Sequence, residues 1–201
     1  MLPPSGGGTR ETGRKFTHGL QGVGLYQPIA GTFVIGIGHK ARQGKDVVAK
    51  QILQLDGAEK HSFADDLYAV ARVMFGMTHK DGRLLQVLGT DVFRKKDPEV
   101  WVKSLYYKLL DRRPRIAIMA DVRFPNEAAF VKSVGGMLVK VNRWNKDGSI
   151  YVTSDRDPNH PSETALDGYG GWDTVIDAED GDLRGLRAEA GLLMDGILEM
   201  V

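Results

Sequence analysis

The sequence predicts a three-layer α/β fold, with a mostly parallel central sheet flanked by helices. Two observations carry this prediction. Short apolar runs at strand length alternate with segments whose apolar residues recur at helical spacing, the pattern of a layered α/β chain. In addition, the first strand-like run enters a glycine-rich turn with a lysine just before a helical segment, at Thr32–Leu55 (TFVIGIGHKARQGKDVVAKQILQL).

The elements follow in order. Residues 1–30 open with Pro3, Pro4 and Gly6–Gly8 and show no periodicity, so they read as an extended or partly ordered arm preceding a single domain over 31–201. A strand is expected at about 32–37 and a helix from Gly44 to about Leu55, with Val48, Ile52 and Leu55 on one face. Lys60–Phe63 is a short strand, and the next helix runs to Phe75. Residues 80–94 read as a helix weakened at Gly89. Asp97-Pro98-Glu99 supplies a cap, a proline for the first turn and an acid for a helix reaching about Leu110. Ile116–Ala120 is an apolar strand closing on Asp121. Pro125 starts a helix that Gly135-Gly136 ends, and Met137–Val141 is a further strand. Residues 143–173 are polar and turn-rich, a length that suits a lid-like segment. A strand at Thr174–Asp177 and a helix at Leu183–Met200 close the chain.

Composition narrows the functional classes. The chain has 201 residues, 27 Lys plus Arg against 26 Asp plus Glu, and a formal net charge of +1. A balanced charge disfavours nucleic acid and anionic membranes as main partners. There is no cysteine, so disulfides, thiolate metal sites and cysteine nucleophiles are excluded, and a reducing cytoplasm suits the chain. No apolar run approaches membrane-spanning length, and the N-terminal stretch lacks the apolar region of a secretory signal. Small-molecule substrates are expected, and a homodimer stays open.

Strand, Gly-rich turn with Lys, then helix is the layout of a phosphate-binding P-loop, which makes the expected fold of the P-loop NTPase type. Glycines let backbone N–H groups converge on phosphate oxygens, and the helix N-terminus adds positive potential. The expected cradle is Gly38 with Lys40, Ala41, Arg42, Gln43, Gly44, Lys45, Asp46 and Val47. Lys45 would reach the outer phosphates as a point charge. The motif departs from its usual form twice: its first glycine position falls on His39, and the Ser or Thr after the lysine is Asp46. A carboxylate there can ligate Mg²⁺ directly or through water. Asp121, at the end of an apolar strand, is the second Mg²⁺ candidate. Arg123 beside it either grips a phosphate bidentately or braces the turn against an acid.

Several segments taken together resemble the deoxynucleoside monophosphate kinases of bacteriophages. They are KARQGKD (Lys40–Asp46), FADDLY (Phe63–Tyr68), LLQVLGTDVFR (Leu84–Arg94), VWV (Val100–Val102), DVRFPNEAAFVKSVGG (Asp121–Gly136) and HPSE (His160–Glu163). The likeness runs from about Phe33 to Asp177. It implies transfer of the γ-phosphoryl group of ATP, with Mg²⁺, to a deoxynucleoside 5′-monophosphate. Such a reaction needs positioning and charge neutralisation, with no nucleophilic side chain. Lys45, Arg123, Asp121 and Arg143 are then the catalytic candidates, Arg143 as a lid cation. Arg123, Arg94, Asp65, Gln86 and Glu163 are candidates for the acceptor. Each of the last four has a plainer reading: Arg94 as a solvated residue in a basic run, Asp65 as a helix cap, Gln86 on a solvated face, and Ser162-Glu163 as a helix start. Trp101 and Phe124 read as core. Animal-type phosphomevalonate kinases are similar in the GKD loop and in Ser162-Glu163…Leu166-Asp167, so another phosphomonoester kinase of this fold is the nearest alternative. A nucleotide-binding protein without an acceptor is the alternative from a different class.

Overall fold

The computed structural model describes residues 26–154 and 157–201. Of the arm expected at 1–30, residues 1–25 lie outside the described residues; 26–30 pack on the domain, with Ile29 buried in its core and Tyr26 against the Phe130 ring. Five strands form one sheet: β1 (Phe33–Gly38), β2 (Ala58–His61), β3 (Ile116–Val122), β4 (Met137–Trp144) and β5 (Thr174–Glu179). Their order is β2-β3-β1-β4-β5 and every neighbouring pair is parallel. The helices are α1 (Lys45–Ile52), α2 (Asp65–Phe75), α3 (Gly82–Gln86), α4 (Val100–Arg112), α5 (Pro125–Ser133), α6 (Pro161–Thr164) and α7 (Leu183–Leu198), with a π-helix at Val87–Arg94.

The period-2 geometry of β1 separates two cores. Ile35 and Ile37 face one side and pack with Val48 and Ile52 of α1 and Leu186, Ala190 and Ile197 of α7. Val34 faces the other side, with Leu105 and Leu109 of α4 and Phe130 and Val131 of α5. Gly36 lies on this second face, where an added Cβ would come within 2.8 Å of Val131 Cγ2. Three layers result: α1 and α7, the sheet, and α2 to α5 with the π-helix.

This layering positions the site. The chain leaves β1 into α1 on one face and leaves β3 into α5 on the other. Adjacent parallel strands whose connections depart on opposite faces open a crevice at their carboxyl ends, the usual ligand position in such sheets. Here those ends are Gly38 and Val122, which are register partners.

Three expectations are corrected. α4 begins at Val100, not at Pro98, because Asp97 closes a separate turn ahead of it, its side chain accepting from Glu99 N (3.0 Å) and its carbonyl from Val100 N (3.1 Å). The weak point at Gly89 does not end the helix but widens it into the π-helix, in which Gly89 O accepts the indole N–H of buried Trp101 (3.2 Å). β4 extends through Trp144, so the polar segment begins after Trp144 rather than at Arg143.

Candidate active site

The loop between β1 and α1 is shaped by two glycines. Gly44 has φ +100°, and a side chain there would also meet Leu186 Cδ2 at 2.7 Å. Gly38 takes the edge of Trp172 where a Cβ would be, at 2.5 Å from the ring and 3.0 Å from Val122 O. His39, the departure from the usual motif, is buried and turns to Asp167, with Nε2 and Oδ1 3.0 Å apart. Burial lowers its pKa against the pull of that carboxylate, favouring the neutral ring.

Lys45 opens α1 and is 6% exposed, its ammonium donating to the carbonyl of Lys40. Burial, then the nearby Arg123 charge, lowers its pKa to about 7, although Glu163, Asp46 and Asp121 pull it upward. These groups therefore share one electrostatic neighbourhood. Asp121 is held at the end of β3 by Ser62 Oγ and Phe63 N (3.4 Å), and burial raises its pKa. Asp46 points outward, its carboxylate 76% exposed and paired with Lys60 (2.7 Å), which lowers its pKa.

Arg123 follows β3. Its Nη1 donates to Glu163 Oε1 (2.5 Å) and to Ser162 O (3.1 Å). Glu163 is 5% exposed, and its second oxygen accepts the backbone N–H of Ala41 inside the loop (2.8 Å). Lys40 donates to Glu163 O (2.7 Å) and pairs with Asp167. The short helix α6 thus bridges the loop and the end of β3. It starts as the sequence suggested, with His160 Nδ1 accepting from Ser162 N (3.1 Å).

Arg143, the expected lid cation, lies on the outer side of the loop. Its guanidinium stacks on Tyr151 (3.9 Å), donates from Nε to Asp180 (2.8 Å) and reaches Arg42 O (3.3 Å). Its backbone N–H donates to Gln43 Oε1 (2.5 Å), and Gln43 Nε2 donates to Tyr151 O (2.7 Å). A cleft of about 210 Å³ lies here, between Arg42–Gly44, Arg143 and the β5–α7 turn at Gly181–Leu183.

The remaining candidates are dispersed. Arg94 is largely buried, not solvated: it pairs with Glu127 Oε1 (2.5 Å) and covers the Phe124 ring (4.3 Å). Glu127 also accepts from Arg123 N (2.8 Å) and Phe124 N (3.1 Å). Asp65 is not the cap of α2, which is Ala64; it is exposed and accepts from Ser62 N (3.1 Å). Gln86 lies on an exposed face of α3. Val47 is half-buried on α1 and contributes to the core on that side. Sequence reasoning missed Glu127, although Pro125-Asn126-Glu127 puts an acid at the third position of a helix, where it can bind free N–H groups. Asp167 was noted only in the Ser162-Glu163…Leu166-Asp167 string and not as a site residue, although that string was the available signal.

Fold and site together define a three-layer α/β protein whose first strand, glycine-bearing loop and lysine-led helix have the layout of a P-loop. No family model matches the chain. It is 25% identical over 175 residues to a protein of Acanthamoeba polyphaga mimivirus named "Putative deoxynucleotide monophosphate kinase", covering 71% of this chain and 86% of that one. Among solved structures it is similar to shikimate kinase from Acinetobacter baumannii (TM-score 0.46, 14% identity, 84% of this chain and 94% of that chain). It is also similar to the tunicamycin resistance protein of Deinococcus radiodurans (TM-score 0.47, 14% identity, 83% and 95%).

Proposed function

We propose that this chain is a phosphotransferase that moves the γ-phosphoryl group of ATP to a deoxynucleoside 5′-monophosphate. The observation that carries the reading is the convergence of Lys45 and Arg123, with Asp121, on the crevice where β1 and β3 end. Two anions brought in line repel each other. A buried ammonium and a guanidinium near it offset that repulsion without needing a nucleophile. A buried lysine near pKa 7 regains its proton when a phosphate approaches, so its charge is supplied where the ligand needs it.

Mg²⁺ is part of this reading. Such an ion keeps several waters and needs only one or two carboxylates besides the phosphates. Asp121, a half-buried carboxylate in the electrostatic neighbourhood of Lys45, fits that role; Asp46 would join by releasing Lys60. When bound, the ion neutralises charge developing on the phosphate oxygens. Arg143 and the cleft beside it suit the nucleoside part of ATP, with the guanidinium–Tyr151 stack as one wall. The polar segment between β4 and β5 supplies α6, which reaches over the loop and excludes water.

The substrate class comes from the six segments that resemble the bacteriophage kinases and from the name of the mimivirus relative. The test is a coupled ADP-release assay over the four deoxynucleoside monophosphates and phosphomevalonate. Turnover with one or more deoxynucleotides is expected. Turnover with phosphomevalonate alone would move the chain to the neighbouring kinase class, and ATP binding with no response to any acceptor would remove the transferase reading.

A further inference from the structure

The carboxylate of Glu163 sits where an anion belongs. One oxygen takes the Ala41 N–H of the phosphate loop (2.8 Å) and the other takes Arg123 Nη1 (2.5 Å). The residue is 5% exposed, so both bonds are made away from bulk water. Its charge also supports protonation of Lys45. A loop amide, a guanidinium and a buried ammonium are the donor types that phosphate oxygens seek. The segment carrying this carboxylate is further tied down by Lys40, which donates to Glu163 O (2.7 Å) and pairs with Asp167.

We infer that Glu163 is an internal stand-in for phosphate: it neutralises the loop and Arg123 in the empty enzyme and gives way when the polyphosphate chain of the nucleotide enters. This rests on the reading of the loop as a triphosphate cradle. The alternative for the same contacts is a permanent brace that holds Arg123 toward the acceptor.

The two roles predict opposite effects of the same change. A carboxylate that competes with the ligand lowers apparent affinity, because only the released fraction of molecules can bind. Glu163→Gln keeps the shape and one acceptor oxygen but removes the charge. It is expected to tighten binding of inorganic tripolyphosphate and of ATP by about tenfold, read by calorimetry at fixed ionic strength. Equal or weaker binding to a folded variant overturns the stand-in. Absence of tripolyphosphate and ATP binding to the wild-type protein instead overturns the cradle reading itself, and the stand-in with it. A second measurement needs no variant. Hydrogen exchange of the wild-type chain on adding tripolyphosphate is expected to slow at 39–46 and to quicken at 160–167. Slowing in both segments overturns the stand-in and assigns the brace.

Discussion

Lys45 concentrates the chemistry of this site into one proton. Burial, and Arg123 beside it, lower its pKa to about 7, against about 10.4 for a free lysine. For a base depressed in this way the unfolded chain binds the proton more tightly. Stability of the ligand-free protein is therefore lowest below pH 7 and rises as pH increases from about 7 toward 10. A bound triphosphate reverses the balance by restoring the charge. ATP binding is then expected to take up close to one proton near pH 8.5 and almost none near pH 6, measured calorimetrically in buffers of differing ionisation enthalpy. Lys45→Met, which keeps the stem and removes the charge, should abolish the uptake and lower turnover by about a hundredfold or more. Unchanged uptake in that variant would assign the proton elsewhere. The position of Lys45 was legible because its neighbours are glycines and a helix start. Its buried state was not, since the loop around it is closed by distant parts of the chain: Leu186 packs on Gly44, Trp172 on Gly38, and Glu163 of α6 on the Ala41 N–H.

At the scale of elements, β3 and α5 show how far patterns reach. The apolar run Ile116–Ala120 and the Pro125 start were readable from local chemistry. The meaning of Arg94 was not. In the chain it precedes two lysines and looks solvated; the π-helix turns it inward onto Glu127. Glu127 is 2% exposed, and burial raises its pKa to about 7 even with the opposing Arg94 charge. Removing one member of such a pair leaves the other uncompensated, which costs about 3–5 kcal/mol. Arg94→Ala should therefore lower stability to denaturant by that amount at pH 8. The loss should shrink toward pH 5, where Glu127 is protonated and no longer needs a cation. A raised KM for the acceptor with unchanged stability would instead mark Arg94 as a phosphate ligand. Asp97 and Gly89 teach a related lesson. Asp97 forms a local turn ahead of α4 instead of capping it, and at Gly89 the packing of Trp101 accompanies a helix that is reshaped and not ended.

For the whole molecule, the crevice is where neighbouring strands β1 and β3 hand the chain to opposite faces of the sheet. The loop belongs to the core under α1 and α7, whereas Arg123 leads into the core under α5, and α6 comes from the long segment between β4 and β5. A ligand held by all three adds its binding energy to cooperative unfolding. At a concentration one hundred times its dissociation constant the gain is about 2.7 kcal/mol. For a chain of this size that corresponds to a rise in Tm of about 5–10 °C. On the proposed reading, ATP with Mg²⁺ is expected to give this shift in a thermal melt, and inorganic tripolyphosphate a part of it, because the phosphates would meet the bridging groups and the nucleoside only the outer cleft. Lys45→Met should lose both shifts while melting cooperatively by itself. If the nucleoside without phosphates stabilised the protein as well as ATP does, binding energy would reside in the outer cleft beside Arg143 and the crevice between β1 and β3 would not be the phosphate site.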